Sequence, residues 1–431
     1  MSNNAIYHAA TPCDEASAQA AQRWPDVAAV PTGIAARTRG RAAAMLFRRA
    51  ARRADVRVEY PDGSLLASGA DDVPPRMIIR RPGPFARRIG ATGLIGFGEA
   101  YMAGDWTSDD LVGVLTPFAR EAAALVPGPL QGLRRVLLPR QLDDEENTTV
   151  NTRANVAHHY DLSNDLFAAF LDETMSYSAA VFGTEPAHDT RFSWSELAAA
   201  QRRKIDRLLD LAGVGPGTRL LEIGTGWGEL CVRAAARGAT VRSVTLSVEQ
   251  RNLARRRIDD AGLGDRVTID LCDYREVGGE YDAVVSVEMI EAVGRAYWPA
   301  YFGCIDRLLV PGGRVAIQAI TMPHDRLLAS ENTRTWVQKY IFPGGQLTSL
   351  EGIGDVVRER TSLRVTGTSS YGMHYAETLR LWRERFDSRE DEVLAMGFDR
   401  TFLRMWDLYL AYSEAGFRAG YLDVVQVGLS R

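Results

Sequence analysis

Across residues 219–320 short apolar runs alternate with stretches whose apolar positions return every three or four residues. Strands are predicted at 219–223, 240–245, 266–271, 281–287 and 314–320, and helices at 228–237, 248–261 and 297–309. A helix at 194–211 leads in, a Pro311-Gly312-Gly313 turn precedes the fifth strand, and helices within 375–418 and a strand at 424–429 follow. This alternation predicts an α/β fold, a doubly wound and mostly parallel sheet whose ligands bind at the carboxyl ends of the strands. Between Thr321 and Gln346 the rhythm lapses, and Trp336, Tyr340 and Phe342 make that insertion a candidate lid or acyl-chain wall.

The first part of the chain reads differently. Pro12, Pro25 and Pro31 punctuate a small, polar stretch at 1–30, which predicts a flexible N-terminus. From 34 to 58, Arg37, Arg39, Arg41, Arg48, Arg49, Arg52, Arg53 and Arg57 interleave with Ala, Met45, Leu46 and Phe47 at helical spacing. The pattern suits a membrane-surface helix facing anionic headgroups and equally the solvated face of a packed helix. A hairpin at 56–67 around Pro61-Asp62-Gly63-Ser64, a strand at 76–80 and the run 90–106 predict a small α+β unit. A helix at 111–125 then gives way to Pro127, Pro129, Pro139 and the acidic Asp143-Asp144-Glu145-Glu146, which read as a linker. Domains are therefore expected at 31–145 and 146–431.

Composition narrows the class. The 431 residues are 46% apolar, enough for a substantial core, and acids exceed bases by only four. The arginine cluster lies outside the sheet domain and no global basic field exists, so a nucleic-acid partner is disfavoured. Cys13, Cys231, Cys272 and Cys304 show no paired spacing, which points away from a zinc site or a disulfide framework and fits a reducing cytoplasm. No apolar run approaches the roughly 18 residues of a membrane span, and the start lacks the order of a signal peptide.

The candidate chemistry sits at the strand ends. Glu222-Ile223-Gly224-Thr225-Gly226-Trp227-Gly228 joins the first strand of the sheet to a helix, and its glycines allow a sharp turn and close approach of a ligand to the backbone. Glu222 can accept from a hydroxyl or ammonium group. Thr245 stands at the second strand tip, where a nicotinamide dinucleotide site calls for an acid, so the cradle fits S-adenosylmethionine (SAM) better. Asp273-Tyr274 offers a carboxylate for an adenine amino group and a ring to stack on it. Glu288-Met289-Ile290-Glu291 sets two carboxylates three apart, expected on one turn of helix; a first-turn carboxylate favoured by the dipole is the plainer role for Glu288.

These stretches carry a resemblance. With His159-Tyr160-Asp161-Leu162, Met175-Ser176-Tyr177-Ser178, Thr245-Leu246-Ser247-Val248-Glu249-Gln250, Lys339-Tyr340-Ile341-Phe342-Pro343-Gly344-Gly345 and Phe417-Arg418, the chain from about Asn155 onward resembles the cyclopropane-fatty-acyl-phospholipid synthases and mycolic acid cyclopropane synthases. Gly98-Glu99-Ala100-Tyr101-Met102-Ala103-Gly104-Asp105-Trp106 resembles the N-terminal extension of the phospholipid-acting members. The resemblance implies a class I SAM-dependent methyltransferase fold (Rossmann-like) with a lipid-associated N-terminal domain, on the inner face of the cell membrane. It implies SAM contacts from Tyr177, Ser178, Gly224, Gly226, Thr245, Leu246, Gln250, Asp273, Tyr274 and Val287, beside the cradle's Glu222 and Gly228. It also implies a bicarbonate ion held by a Cys, a Glu, a His, an Ile backbone and a Tyr. Glu291, Ile320 and Tyr375 match three of those ligands, whereas Ala179 stands at the Cys position and Gln318 at the His position; Ser413 replaces a further family cysteine.

Methyl transfer to an alkene needs alignment, exclusion of water and stabilisation of a carbocation, the last assigned here to Tyr177, Tyr375 and Glu291. Proton loss then gives a cyclopropane or, after a hydride shift, an exocyclic methylene that a separate reductase converts to a methyl branch. The changes at Ala179 and Gln318 favour the methylene, with Glu291, alone or with Glu288, as proton acceptor. A methyltransferase for a soluble amine or hydroxyl and a non-catalytic lipid-binding module are the alternatives; a homodimer is compatible with any of them.

Overall fold

The computed structural model describes residues 22–66, 75–121, 163–187, 190–330 and 333–431. The start of the chain, the linker prolines with their acidic run, the expected boundary at 145 and the His159-Tyr160 stretch lie outside the described residues. The chain forms two compact units, one reaching to Val114 and including Leu394–Leu408, the other made of Leu115–Val393 and Tyr409–Arg431.

In the first unit β1 (Arg57–Glu59), β2 (Leu65–Leu66), β3 (Arg76–Ile79) and β4 (Trp106–Ser108) form a sheet in the order β2-β1-β3-β4. The β1–β2 hairpin turns at Gly63, whose φ of +79° suits a residue without Cβ, while Asp62 Oδ1 accepts from the Ser64 amide at 2.9 Å. The arginine-rich stretch forms the helix Gly33–Arg53, which buries Gly40, Ala43, Phe47 and Ala51 as one stripe. The stripe packs on the helix Pro82–Thr92 at close range, since a Cβ at Gly90 would stand 2.7 Å from the Arg39 and Gly40 backbone. Arg37, Arg39, Arg41, Arg48, Arg49 and Arg52 remain exposed, as do Ile34, Met45 and Leu46.

Buried Arg88 ties this unit together. Its Nε meets Asp105 Oδ2 at 3.1 Å, and its Nη atoms donate to the carbonyls of Asp26, Val27 and Ala29. Asp105→Asn keeps the shape but removes the charge that a buried guanidinium needs. It is expected to cost about 1–3 kcal/mol in urea unfolding.

The second unit is built on seven strands: β5 (Arg219–Ile223), β6 (Thr240–Thr245), β7 (Val267–Leu271), β8 (Tyr281–Val287), β9 (Leu309–Thr321), β10 (Arg364–Ser370) and β11 (Asp423–Ser430). Their order is β10-β11-β9-β8-β5-β6-β7; the strands from β9 through β7 pair in parallel, and β11 and β10 add on antiparallel. Alternation along β5 feeds both faces. Leu220 packs with Leu208, Leu230 and Ala254 on one side, and Leu221 and Ile223 with Trp298, Phe302 and Ile305 on the other. This is the mostly parallel α/β sheet predicted above.

Three local expectations need correcting. Pro311-Gly312-Gly313 does not precede β9 but bulges inside it: Tyr281 pairs with Leu309 and Ala283 with Arg314, so extra residues loop out, with Gly312 at φ +79°. The polar segment Arg364–Ser370, for which no strand was predicted, pairs with β11 although every side chain on it is exposed. Glu288 and Glu291 do not share a helical turn: Glu288 takes φ +48° after β8, and a separate 3₁₀ turn, Ile290–Ala292, carries Glu291.

Candidate active site

The parallel strands end on one edge, and β5 opens there into the glycine turn. Gly224, Gly226 and Gly228 all have positive φ, +98°, +52° and +91°, and each glycine serves a different end. A Cβ at Gly228 would press on Ala254 at 3.0 Å, so that glycine allows helix packing; a Cβ at Gly226 would meet nothing within 4 Å among the described residues and would fill the cradle itself. Trp227 is anchored by its indole Nε1, which donates to Asn164 Oδ1 at 2.7 Å.

Glu222 is turned into the protein. Its Oε2 accepts from Ser243 Oγ at 2.6 Å and from the Cys231 thiol at 2.8 Å, and burial pushes its pKa up to about 7. Thr245 Oγ1 donates to Gln250 Oε1 at 3.0 Å, and Ser247 caps the helix Val248–Asp260, which fixes the second strand tip; Leu246 between them is half-buried. Asp273 is gripped by Arg275, whose Nε and Nη2 reach its two oxygens at 2.8 and 2.6 Å; Tyr274 is buried edge-on against Tyr301. Val287 is half-buried at the end of β8.

Next to this edge lies a carboxylate pair. Glu288 Oε1 accepts from the Ala179 amide at 2.9 Å and from Gln318 Nε2 at 2.8 Å, and the Tyr375 hydroxyl lies beside the same carboxylate. Gln318 is held in turn: its Nε2 also reaches Ala179 O, and its Oε1 accepts from Gln426 Nε2 at 3.0 Å. Glu291 Oε1 accepts from the Ile320 amide at 2.5 Å, while its buried Oε2 has no partner among the described residues. Burial, with the Glu288 charge second, pushes Glu291 up to about 8; burial also raises Glu288, against the pull of the Lys204 charge.

Aromatic rings wall the pair. Tyr177 packs among Phe167, Phe170 and Trp382, and its hydroxyl lies 2.9 Å from that of Tyr409. Tyr375 is buried against Trp382 and Phe417. Tyr409, Ser413 and Phe417 recur every four residues on the helix Arg400–Arg418, so half-buried Ser413 falls between two side chains that touch this wall.

Lys204, Tyr409, Trp382 and Gln426 were not singled out from the sequence. Lys204 is the one with a readable signal: it is one of two lysines and stands on the apolar stripe of Leu197, Ala200, Ile205 and Leu208 in the helix Trp194–Leu211. Its buried Nζ donates to Ser178 Oγ at 2.5 Å, and burial lowers it to about 8 despite the charges of Glu288 and Asp172.

Residues 147–427 match the family described as mycolic acid cyclopropane synthetase. The chain belongs to that family. Similarity extends beyond the family's core: a tuberculostearic acid methyltransferase, UfaA1 of Mycobacterium tuberculosis, is 58% identical over 409 residues, 95% of each chain. The cyclopropane-fatty-acyl-phospholipid synthase of Escherichia coli is 32% identical over 80% of this chain and 86% of its own. Among solved structures, the cyclopropane synthase MmaA2 of Mycobacterium tuberculosis matches with a TM-score of 0.58 at 30% identity, over 65% of this chain and 98% of that one. Coclaurine N-methyltransferase, at 16% identity and a TM-score of 0.60, shares the fold alone. The synthetase family is the one that the sequence motifs resemble.

Proposed function

We propose that the protein methylates the cis double bond of an unsaturated acyl chain in a phospholipid, using SAM, and that its product is the exocyclic methylene rather than the cyclopropane. The enzyme is a SAM-dependent C-methyltransferase acting on unsaturated lipid acyl chains. The observation that carries the methylation reading is the buried Glu288–Glu291 pair, a proton acceptor supplied by the chain itself and walled by aromatic rings; either product needs such a base, and Ala179 and Gln318 in place of the family's Cys and His favour the methylene. The relative at 58% identity is named a tuberculostearic acid methyltransferase, which supports the same outcome.

The open cradle at Gly226 and the donors around it suit SAM, with Gly224, Gly226, Thr245, Leu246, Gln250, Asp273, Tyr274, Val287, Tyr177 and Ser178 as the residues that would hold it. When bound, SAM supplies an electrophilic sulfonium methyl. The remaining work falls to the chain. Tyr177, Tyr375 and Trp382 exclude water and turn ring faces toward the cationic acyl chain, and the carboxylate pair takes the proton that this chain releases. Among the described residues no helix is long and apolar enough to cross a membrane. The exposed arginines with Ile34, Met45 and Leu46 on the helix Gly33–Arg53 support attachment to an anionic phospholipid surface. An exocyclic methylene needs two electrons and two protons to become a methyl branch, so a separate reductase consumes the product.

The test is product structure. Purified protein with SAM and oleoyl phospholipid vesicles is expected to add one carbon to the acyl chain, and NMR of the isolated fatty ester to show a terminal alkene. Cyclopropane as the sole product would overturn the methylene assignment; methylation of soluble amines alone would overturn the lipid substrate.

A further inference from the structure

The bicarbonate ion that the resemblance implies does not fit this site. Five positions would hold it, and three of them supply donors already committed to the protein's own carboxylates, with the Tyr375 hydroxyl beside them. The Ala179 amide and Gln318 Nε2 donate to Glu288, the Tyr375 hydroxyl lies beside that carboxylate, and the Ile320 amide donates to Glu291. The fifth position is Glu291 itself. A bicarbonate placed here would find those donors taken and would add an anion beside two buried acids whose own charge burial already disfavours.

Glu288 meanwhile holds a backbone conformation that side chains rarely adopt. At φ +48° a non-glycine residue is strained by roughly 1–2 kcal/mol. Its amide donates to Gln318 O at 2.8 Å, which fixes the backbone, and the side chain is drawn back over β9 to the same glutamine. The Lys204 ammonium, buried behind Ser178, offsets its charge.

We infer that Glu288 is a built-in replacement for an exogenous carbonate-type ion: its carboxylate sits among the donors such an ion would use and serves as the base of the reaction, with Lys204 as a positioning residue. The inference rests on the proposed lipid methylation for its chemistry, though not for its anion test. In the step, a C–H bond of the new methyl, next to the carbocation on the acyl chain, breaks, its electron pair forms the carbon–carbon double bond, and the proton passes to Glu288, which later releases it to water. No co-reactant is needed.

The experiment compares the full-length wild type with Glu288→Gly and Glu288→Gln, all loaded with SAM. Glycine suits φ +48° and empties the donor set; glutamine keeps the volume and removes the base. The NMR line width of isotopically labelled bicarbonate reports binding without turnover. The wild type is expected to leave the line sharp and to keep its turnover when bicarbonate is stripped from the buffer. Glu288→Gly is expected to broaden the line, to lose about 100-fold in turnover and to regain about tenfold with added bicarbonate. Glu288→Gln is expected to lose activity similarly, without broadening and without rescue. Bicarbonate binding by the wild type, a fall in its turnover on stripping, or a folded Glu288→Gly that neither binds nor is rescued would overturn the inference. A wild type that methylates no lipid would strike the proposed substrate instead, and the line widths would still decide whether Glu288 occupies the anion's place.

Discussion

Gly226→Val is expected to abolish useful SAM binding while leaving the chain folded. Among the described residues nothing lies within 4 Å of a Cβ at Gly226, so the packed core does not resist the new side chain. Two terms act against the ligand. A β-branched residue disfavours φ +52°, and its methyl groups project into the open cradle over which the cofactor's backbone contacts must form. A loss of at least about 100-fold in affinity, near 2.7 kcal/mol, is expected by calorimetry. The rise in melting temperature that SAM gives the wild type should vanish with it. Gly217→Ala is the control, because Gly217 also has positive φ, +81°, and no neighbour within 4 Å, but precedes β5 at its opposite end. It should share the backbone strain and keep SAM affinity; an equal loss in both variants would assign the effect to strain rather than to the cradle.

Glu291→Gln is expected to lower turnover by about 10²–10³-fold while making the protein more stable in alkali. The rate falls because an amide cannot share the proton that the acid pair handles, although glutamine can still accept from the Ile320 amide. The stability gain follows from the same burial. Glu291 keeps its proton up to about pH 8 in the folded chain, against 4.5 for an ordinary glutamate. Between those values the folded state binds more protons than the unfolded one, so the contribution of Glu291 is full below about pH 4.5 and declines as pH climbs toward 8. At about 1.4 kcal/mol per unit, the wild type forfeits a few kcal/mol that the glutamine variant does not. The melting-temperature difference between variant and wild type should therefore widen from about pH 5 to about pH 8. A flat difference, or a turnover loss under about tenfold, would remove Glu291 from the proton path.

The central strands were legible because burial on both faces leaves an apolar signature that turn residues then bound, as at Leu220 to Ile223 and Ala283 to Val285. β10 was not, because its seven side chains are all exposed and its place is set by hydrogen bonds to β11 rather than by an apolar pattern. For the candidate site, residue types were readable and geometry was not. Tyr177, Glu291, Ile320 and Tyr375 could be named from motifs, yet the pairing of Glu288 with Ala179 depends on a backbone amide, which any residue carries. The positive φ that aims Glu288 has no signature in a glutamate. Asp273 shows the converse: its partner Arg275 is two residues away, but only coordinates reveal that the pair closes on itself. Lys204 was within reach, since a lone lysine on an apolar stripe marks a buried charge in need of an acid.

That burial leaves its mark on the chain's surface chemistry. With Lys204 only 1% exposed, the one other lysine is Lys339, half-buried on the short helix Trp336–Tyr340 with its ammonium 5.1 Å from the Tyr340 ring centre. An amine-selective fluorophore therefore has a single internal address, on the aromatic insertion beyond the ends of the sheet strands. The protein carries a ready-made attachment point from which movement of that insertion can be followed in solution without engineering a cysteine.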